Sequence, residues 1–226
     1  MLVPWKDLEA AINASRLILL YGPPGTGKTT AAVKCGNPAS VYNVTLTDET
    51  PAAELRGHFI PKGGEFVWMD GPAMRAFRSG ARLVLNEIDK ASDDCLDFLH
   101  ALLDDPGVSA FTLPTGETVT PGETFQVIGT MNGQPEDLPH AIRDRFAGRM
   151  EVTVPHPDAI ARFPQAVQDA IVGTTPVDED DRRTSMRAWS CYLDLAAKIG
   201  QDTAAAVVFG HRASEVLTAI RLAGER

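Results

Sequence analysis

A chain of 226 residues with 44% hydrophobic content can bury one sizeable core, or a core domain with a small appendage. Its formal net charge of −9 excludes a bulk basic field for nucleic acid or anionic membrane, leaving only a local basic groove in an assembly for that role. No run approaches the roughly 18 apolar residues that span a bilayer, and Pro4, Asp7 and Glu9 interrupt any signal-like stretch, so the reading is a soluble, cytoplasmic protein. Cys35, Cys95 and Cys191 are far apart and show no C-x-x-C spacing, which reads as buried thiols in a reducing compartment.

In chain order, the first predicted element is a buried strand, Leu17–Tyr21. It leads into Gly-Pro-Pro-Gly-Thr-Gly-Lys-Thr at 22–29, the G-x-x-x-x-G-K-[ST] pattern at a strand-to-helix junction. Gly22, Gly25 and Gly27 let backbone N–H groups close around phosphate oxygens, and a helix from Lys28 to Cys35 turns its positive end toward the anion. Lys28 is placed for the β- and γ-phosphates and the Thr29 hydroxyl for Mg²⁺. The nucleotide-binding stretch is therefore Gly22, Pro23, Pro24, Gly25, Thr26, Gly27, Lys28, Thr29 and Thr30.

Four more short apolar or β-branched runs follow at Ser40–Leu46, Leu83–Leu85, Phe125–Thr130 and Arg149–Val154. Helical patterns at Gly71–Arg78 and Ser92–Leu103 lie between them, and the alternation predicts an α/β fold with a parallel sheet. Ser92 reads as an N-cap with Asp93 and Asp94 in the first turn, and Leu96, Leu99, Leu102 and Leu103 face the core. Phe59–Asp70, around Gly63-Gly64, and Ala110–Thr120, around Thr115-Gly116, read as hairpins inserted into this scheme. After Val154 only helical patterns remain: Ala159–Val172, Ser185–Ile199, Thr203–Val208 and Ala213–Leu222, with the acidic run Val177–Asp181 as a solvated loop. The expected domains are 1–155, the α/β core with insertions near 59–70 and 110–120, and 156–226, a small helical domain.

The second chemical signal is Arg82-Leu83-Val84-Leu85-Asn86-Glu87, an apolar strand ending in polar residues downstream of a phosphate loop. Glu87 is the natural general base for an attacking water. Asn86 stands where an Asp would orient the Mg²⁺ shell; its amide oxygen can accept from a metal-bound water but brings no charge, so weaker Mg²⁺ binding or slower turnover is expected. The metal set is then Thr29, Asn86 and Glu87. Asn132, after the Phe125–Thr130 strand, suits a water-positioning or γ-phosphate-sensing role, and an Asn-Gly turn explains it equally well. Arg143 and Arg145 at a helix end fit surface charge or delivery in trans to a neighbour's γ-phosphate, with both readings open.

Together these segments resemble an AAA+ ATPase over nearly the full chain. The match is carried by Gly22–Thr29 (Walker A), Leu83–Glu87 (Walker B), Ile128–Asn132 (sensor 1) and Ala141–Phe146. Glu54–Phe59 through Gly64–Pro72 resembles the helix-2 insertion of the MoxR-like, dynein-related branch, which includes CbbQ/NorQ- and McrB-type modules. The resemblance implies a P-loop NTPase three-layer core with a central parallel sheet and a small all-helical AAA+ lid. It also implies Arg145 as arginine finger with Arg143 auxiliary, Arg212 in Gly210–Ser214 as a sensor 2 contact in cis, and a homo-hexameric ring. The two hairpins would face a substrate or partner. Phe66 and Trp68 either grip that partner or pack their own hairpin.

The implied function is a cytoplasmic Mg²⁺–ATP hydrolase that remodels or matures a partner protein, with a von Willebrand factor A-type co-worker. No Asn-Lys-x-Asp pattern supports guanine use. Two other readings stand beside it: a McrB-like motor subunit that takes its DNA-binding module from elsewhere, and a slowly hydrolysing, nucleotide-gated assembly switch suggested by Asn86.

Overall fold

The computed structural model describes residues 5–173 and 185–224. Two compact units divide the chain: one runs to Gly22 and resumes over Lys28–Glu151, and the other holds Pro23–Gly27 and the chain from Val152 onward.

The first unit opens with a helix absent from the predicted elements, α1 (Trp5–Ala14), which buries Leu8 and Ile12 one turn apart. There follow β1 (Leu17–Tyr21), α2 (Lys28–Lys34), β2 (Val41–Thr45), α3 (Ala52–Arg56), β3 (Gly57–Lys62), β4 (Glu65–Asp70), α4 (Pro72–Ser79) and β5 (Arg82–Asn86). The unit continues with α5 (Asp93–Leu102), β6 (Phe111–Thr112), β7 (Thr118–Val119), β8 (Gln126–Thr130), α6 (His140–Arg145) and β9 (Gly148–Glu151). Five strands form one parallel sheet in the order β2-β5-β8-β1-β9. Strand β5 is buried along its whole length, as expected of a central strand covered on both faces. Leu83 and Leu85 join Met74 and Phe77 of α4 and Leu99 and Leu102 of α5 in one apolar cluster. Arg82, on the opposite face of β5, reaches the carbonyls of Ala32 and Cys35 at the end of α2, at 3.1 and 2.6 Å. Ser92 caps α5, its hydroxyl accepting from Cys95 N–H at 3.2 Å.

Strand β9 ends at Glu151, short of the expected Val154. Its one partner among the described residues, β1, pairs Tyr21 with Glu151 and then enters the glycine-rich loop, so the ladder ends there.

Strands β3 and β4 pair antiparallel from Gly57–Asp70 to Lys62–Glu65 around a Gly63-Gly64 turn with both φ positive, at 62° and 89°. The Trp68 ring packs edge-on against Phe59 at 5.3 Å and donates to Asp70 Oδ1 at 2.7 Å. Own-hairpin packing therefore describes Trp68, whereas Phe66 remains 75% exposed. The short β6–β7 hairpin is tied to β4 by Arg78 of α4, which bonds Asp70 at 3.1 Å and forks onto Glu117.

The second unit is helical: α7 (Pro157–Ile160), α8 (Gln165–Gly173), α9 (Met186–Ile199), α10 (Gln201–Phe209) and α11 (Ala213–Gly224). Trp189, Tyr192 and Phe209 form its aromatic centre, with ring centroids 5.1–6.3 Å apart. The helix expected over Ala159–Val172 is broken between Ile160 and Gln165, where Pro164 lacks the N–H that a continuous helix needs. The Val177–Asp181 run lies outside the described residues. The expectation of three buried thiols is corrected: Cys95 is buried, Cys35 is half-buried and Cys191 is exposed. Helix α9 turns Trp189 and Tyr192 inward, which leaves Cys191 on its outer side.

Candidate nucleotide and cation site

In a parallel sheet, ligands bind beyond the carboxyl ends of the strands. Here β5, β8 and β1 are adjacent, with Asn86 level with Thr130 and Thr130 level with Leu20. The Met131 N–H bonds the Leu20 carbonyl at 3.0 Å and closes this edge. The phosphate loop leaves β1, Glu87 follows β5 and Asn132 follows β8, so all three emerge on one side.

Gly22, Gly25 and Gly27 take φ of 120°, 78° and 96°, values that a side chain would resist. The Lys28 ammonium is buried and donates to the Gly22 carbonyl at 2.7 Å, spanning the loop from its last turn to its first. Thr26 is also buried, its hydroxyl bonding the Pro23 carbonyl at 3.2 Å. Pro24, Thr29 and Thr30 are exposed. The Thr29 hydroxyl donates to Asn86 Oδ1 at 2.8 Å, which joins the helix start to the end of β5.

Asn86 is buried and its carboxamide is fully engaged. Its oxygen also accepts from the Thr130 hydroxyl at 3.1 Å, and its nitrogen donates to Asn43 Oδ1 at 2.5 Å and to the Val44 carbonyl at 3.1 Å. With both lone pairs of its oxygen accepting from hydroxyls, Asn86 keeps none for a further ligand. Glu87 takes a left-handed backbone, φ 54° and ψ 45°, on leaving β5. For a non-glycine residue this costs about 1–2 kcal/mol and marks an imposed direction. Its carboxylate meets the Lys90 ammonium at 2.6 Å, and this hydrogen bond, reinforced by the Glu87 charge, pushes the exposed Lys90 up from its ordinary pKa. Asn132 is exposed, and its side chain has no hydrogen bond among the described residues.

Of the arginines, Arg143 and Arg145 lie on α6 and Arg212 in the helical unit. Arg145 donates from Nε and Nη2 to Asp104 Oδ1 at 3.0 and 2.6 Å and from Nη1 to the Ala141 carbonyl at 2.9 Å. Arg143, on the same short helix, is half-buried and has no side-chain partner among the described residues. Arg212 sits in the Gly210–Arg212 turn of the helical unit and meets Glu215 at 3.4 Å.

The donor set fits Mg²⁺. Among the described residues no group of three or more His, Cys, Asp or Glu forms an all-protein cage, and Mg²⁺ in phosphate sites is held by few protein oxygens plus the phosphates. The Thr29 hydroxyl, its proton committed to Asn86, supplies such an oxygen. Asn43, Lys90 and Asp104 were not singled out from sequence. Their partners Asn86, Glu87 and Arg145 are themselves motif residues, but only Lys90, three positions from Glu87, offered a local signal.

Residues 17–146 match the family model for the AAA domain, dynein-related subfamily. Protein NorQ of Paracoccus denitrificans is 36% identical over 157 residues, covering 66% of this chain and 57% of NorQ. Protein CbbQ of Hydrogenophilus thermoluteolus is 31% identical over 161 residues, covering 68% of this chain and 59% of CbbQ. The chain thus spans little more than half the length of either. In fold, a RuvB variant structure from Thermotoga maritima superposes with a TM-score of 0.54 at 18% identity, covering 96% of this chain and 68% of that one. With its phosphate loop, its strand order and these relatives, the chain belongs to the dynein-related, MoxR-like branch of the AAA+ ATPases.

Proposed function

We propose that this chain binds Mg²⁺–ATP over Gly22–Thr30 and hydrolyses it as one subunit of a cytoplasmic, homo-hexameric, chaperone-like ring. The ring remodels or matures a partner protein, working with a von Willebrand factor A-type co-worker and without direct nucleic-acid binding. The observation that carries this reading is the joining of Thr29, Asn86 and Thr130 at the edge from which Glu87 emerges. No described helix is long and apolar enough to cross a membrane.

In this mechanism the loop N–H groups hold the phosphates, and Lys28 exchanges the Gly22 carbonyl for phosphate oxygens. Thr29, with Asn86 and Glu87 behind it, would hold Mg²⁺, which would supply neutralisation of the phosphate charge. Glu87 leaves Lys90 and takes the proton of the attacking water, which Asn132 orients. Arg145 of the adjacent subunit, assisted by Arg143, stabilises the charge of the transition state, and Arg212 contacts the γ-phosphate in cis.

A second reading, a slowly hydrolysing assembly switch, draws support from three features: a neutral Asn86, a Glu87 paired with Lys90 and an Arg145 paired with Asp104. Steady-state hydrolysis by the assembled ring, compared with Glu87→Gln, separates the two. A clear loss in the variant supports the hydrolase, and equal rates sink it.

A further inference from the structure

The partners of Asn86 assign a role to a residue outside every motif. We propose that Asn43, on edge strand β2, is a positioning residue for the cation half of the site, acting through Asn86 to hold Thr29 as a lone-pair donor. The inference rests on the nucleotide reading above.

The orientation of Asn86 follows from its neighbours. The Val44 carbonyl can only accept, so the atom 3.1 Å from it must be the amide nitrogen. The Asn86 oxygen then faces the hydroxyls of Thr29 and Thr130, and both must donate to it. Thr29 has one hydroxyl proton; once that proton points at Asn86, only lone pairs remain toward the phosphate side. An oxygen presenting lone pairs alone is a cation ligand. Asn43 Oδ1, 2.5 Å from Asn86 Nδ2, accepts the second amide proton and completes the constraint on the amide. Asn43 is itself exposed, and its NH₂ group has no partner among the described residues.

The same geometry explains why an amide stands at position 86. A carboxylate there would set an acceptor oxygen against the Val44 carbonyl, which has no proton to give. The fold around β2 is thus matched to Asn86, and the Asn43–Asn86 pair performs as a neutral unit the orienting work that a single carboxylate would otherwise do.

The test measures ADP binding to the full chain by calorimetry in Mg²⁺ and in EDTA and compares the ratio of the two affinities. Asn43→Ala removes one hydrogen bond behind Thr29, so the Mg²⁺/EDTA ratio is expected to fall about 2- to 10-fold with the EDTA affinity unchanged. Asn43→Asp keeps an acceptor for the Asn86 N–H and is expected to retain the wild-type ratio or exceed it. An Asn43→Ala variant that keeps the ratio, or that loses affinity equally in both buffers, overturns the proposal. An Asn43→Asp variant that falls as far as Asn43→Ala also overturns it. Wild-type protein that binds no ADP in either buffer would instead sink the nucleotide reading itself.

Discussion

If Arg145 serves a neighbour's phosphate, it must first leave Asp104, and the structure sets the cost of that release. Two guanidinium nitrogens lie 3.0 and 2.6 Å from one carboxylate oxygen, with the side chains 25% and 41% exposed. A pair this open is screened by solvent and contributes about 0.5–1 kcal/mol. The Arg16 guanidinium bonds the Asp104 carbonyl at 2.7 Å, so the backbone at Asp104 stays in place when its carboxylate is removed. Asp104→Ala should therefore raise hydrolysis by the assembled ring about 2- to 5-fold, the factor that 0.5–1 kcal/mol represents. Arg145→Ala should lower it by about 10³-fold or more, as loss of an arginine finger does. A coupled-enzyme assay at saturating ATP, on rings sized by light scattering, reads both. An Arg145→Ala ring at the wild-type rate would refute the trans assignment. An Asp104→Ala ring as slow as Arg145→Ala would show that the contact aims the finger rather than holding it back.

Other consequences lie away from the interface. Arg82 is buried, and Arg82→Met leaves the Ala32 and Cys35 carbonyls and the Gln126 amide oxygen without their donor. At roughly 1–3 kcal/mol per orphaned group, partly relieved by relaxation, the loss should be about 2–4 kcal/mol. For a domain of this size that is a drop of about 5–15 °C in thermal midpoint, and a change below about 2 °C would contradict the account. Thiol alkylation followed by peptide mass spectrometry should modify Cys191 first, Cys35 more slowly and Cys95 only on unfolding. Burial pushes the Cys35 and Cys95 thiols up, so at pH 8 they carry less thiolate than an ordinary cysteine and approach the usual reactivity only as pH rises. Labelling of Cys95 before Cys191 in folded protein would refute the burial described.

The local chemistry was legible where the signal lies within a few residues. The Gly22–Thr29 loop, the Ser92 cap and the Gly63-Gly64 turn each follow from backbone geometry that only certain residues permit. The break before Gln165 is equally local, since Pro164 announces it, although the apolar spacing on either side suggests one helix. The strand order β2-β5-β8-β1-β9 is a different kind of fact. Parallel pairing is set by tertiary packing, and nothing in Val41–Thr45 names β5 as its neighbour. The same distance hides Asn43 behind Asn86 and Asp104 behind Arg145, partners 43 and 41 positions apart. The position of Asn86 in the pattern was plain. That its oxygen is filled by the hydroxyls of Thr29 and Thr130 required the folded sheet.

The central claim is a site completed by two subunits, with Glu87 from one and Arg145 from the next. Glu87→Gln and Arg145→Ala homo-rings should each be nearly inactive. Mixed one to one and reassembled, about a quarter of the interfaces would join an intact Glu87 to an intact Arg145, if the subunits associate at random around the ring. The account predicts that hydrolysis returns to a substantial fraction of the wild-type rate, up to about that quarter. Mixed rings that stay as inactive as either parent would contradict it.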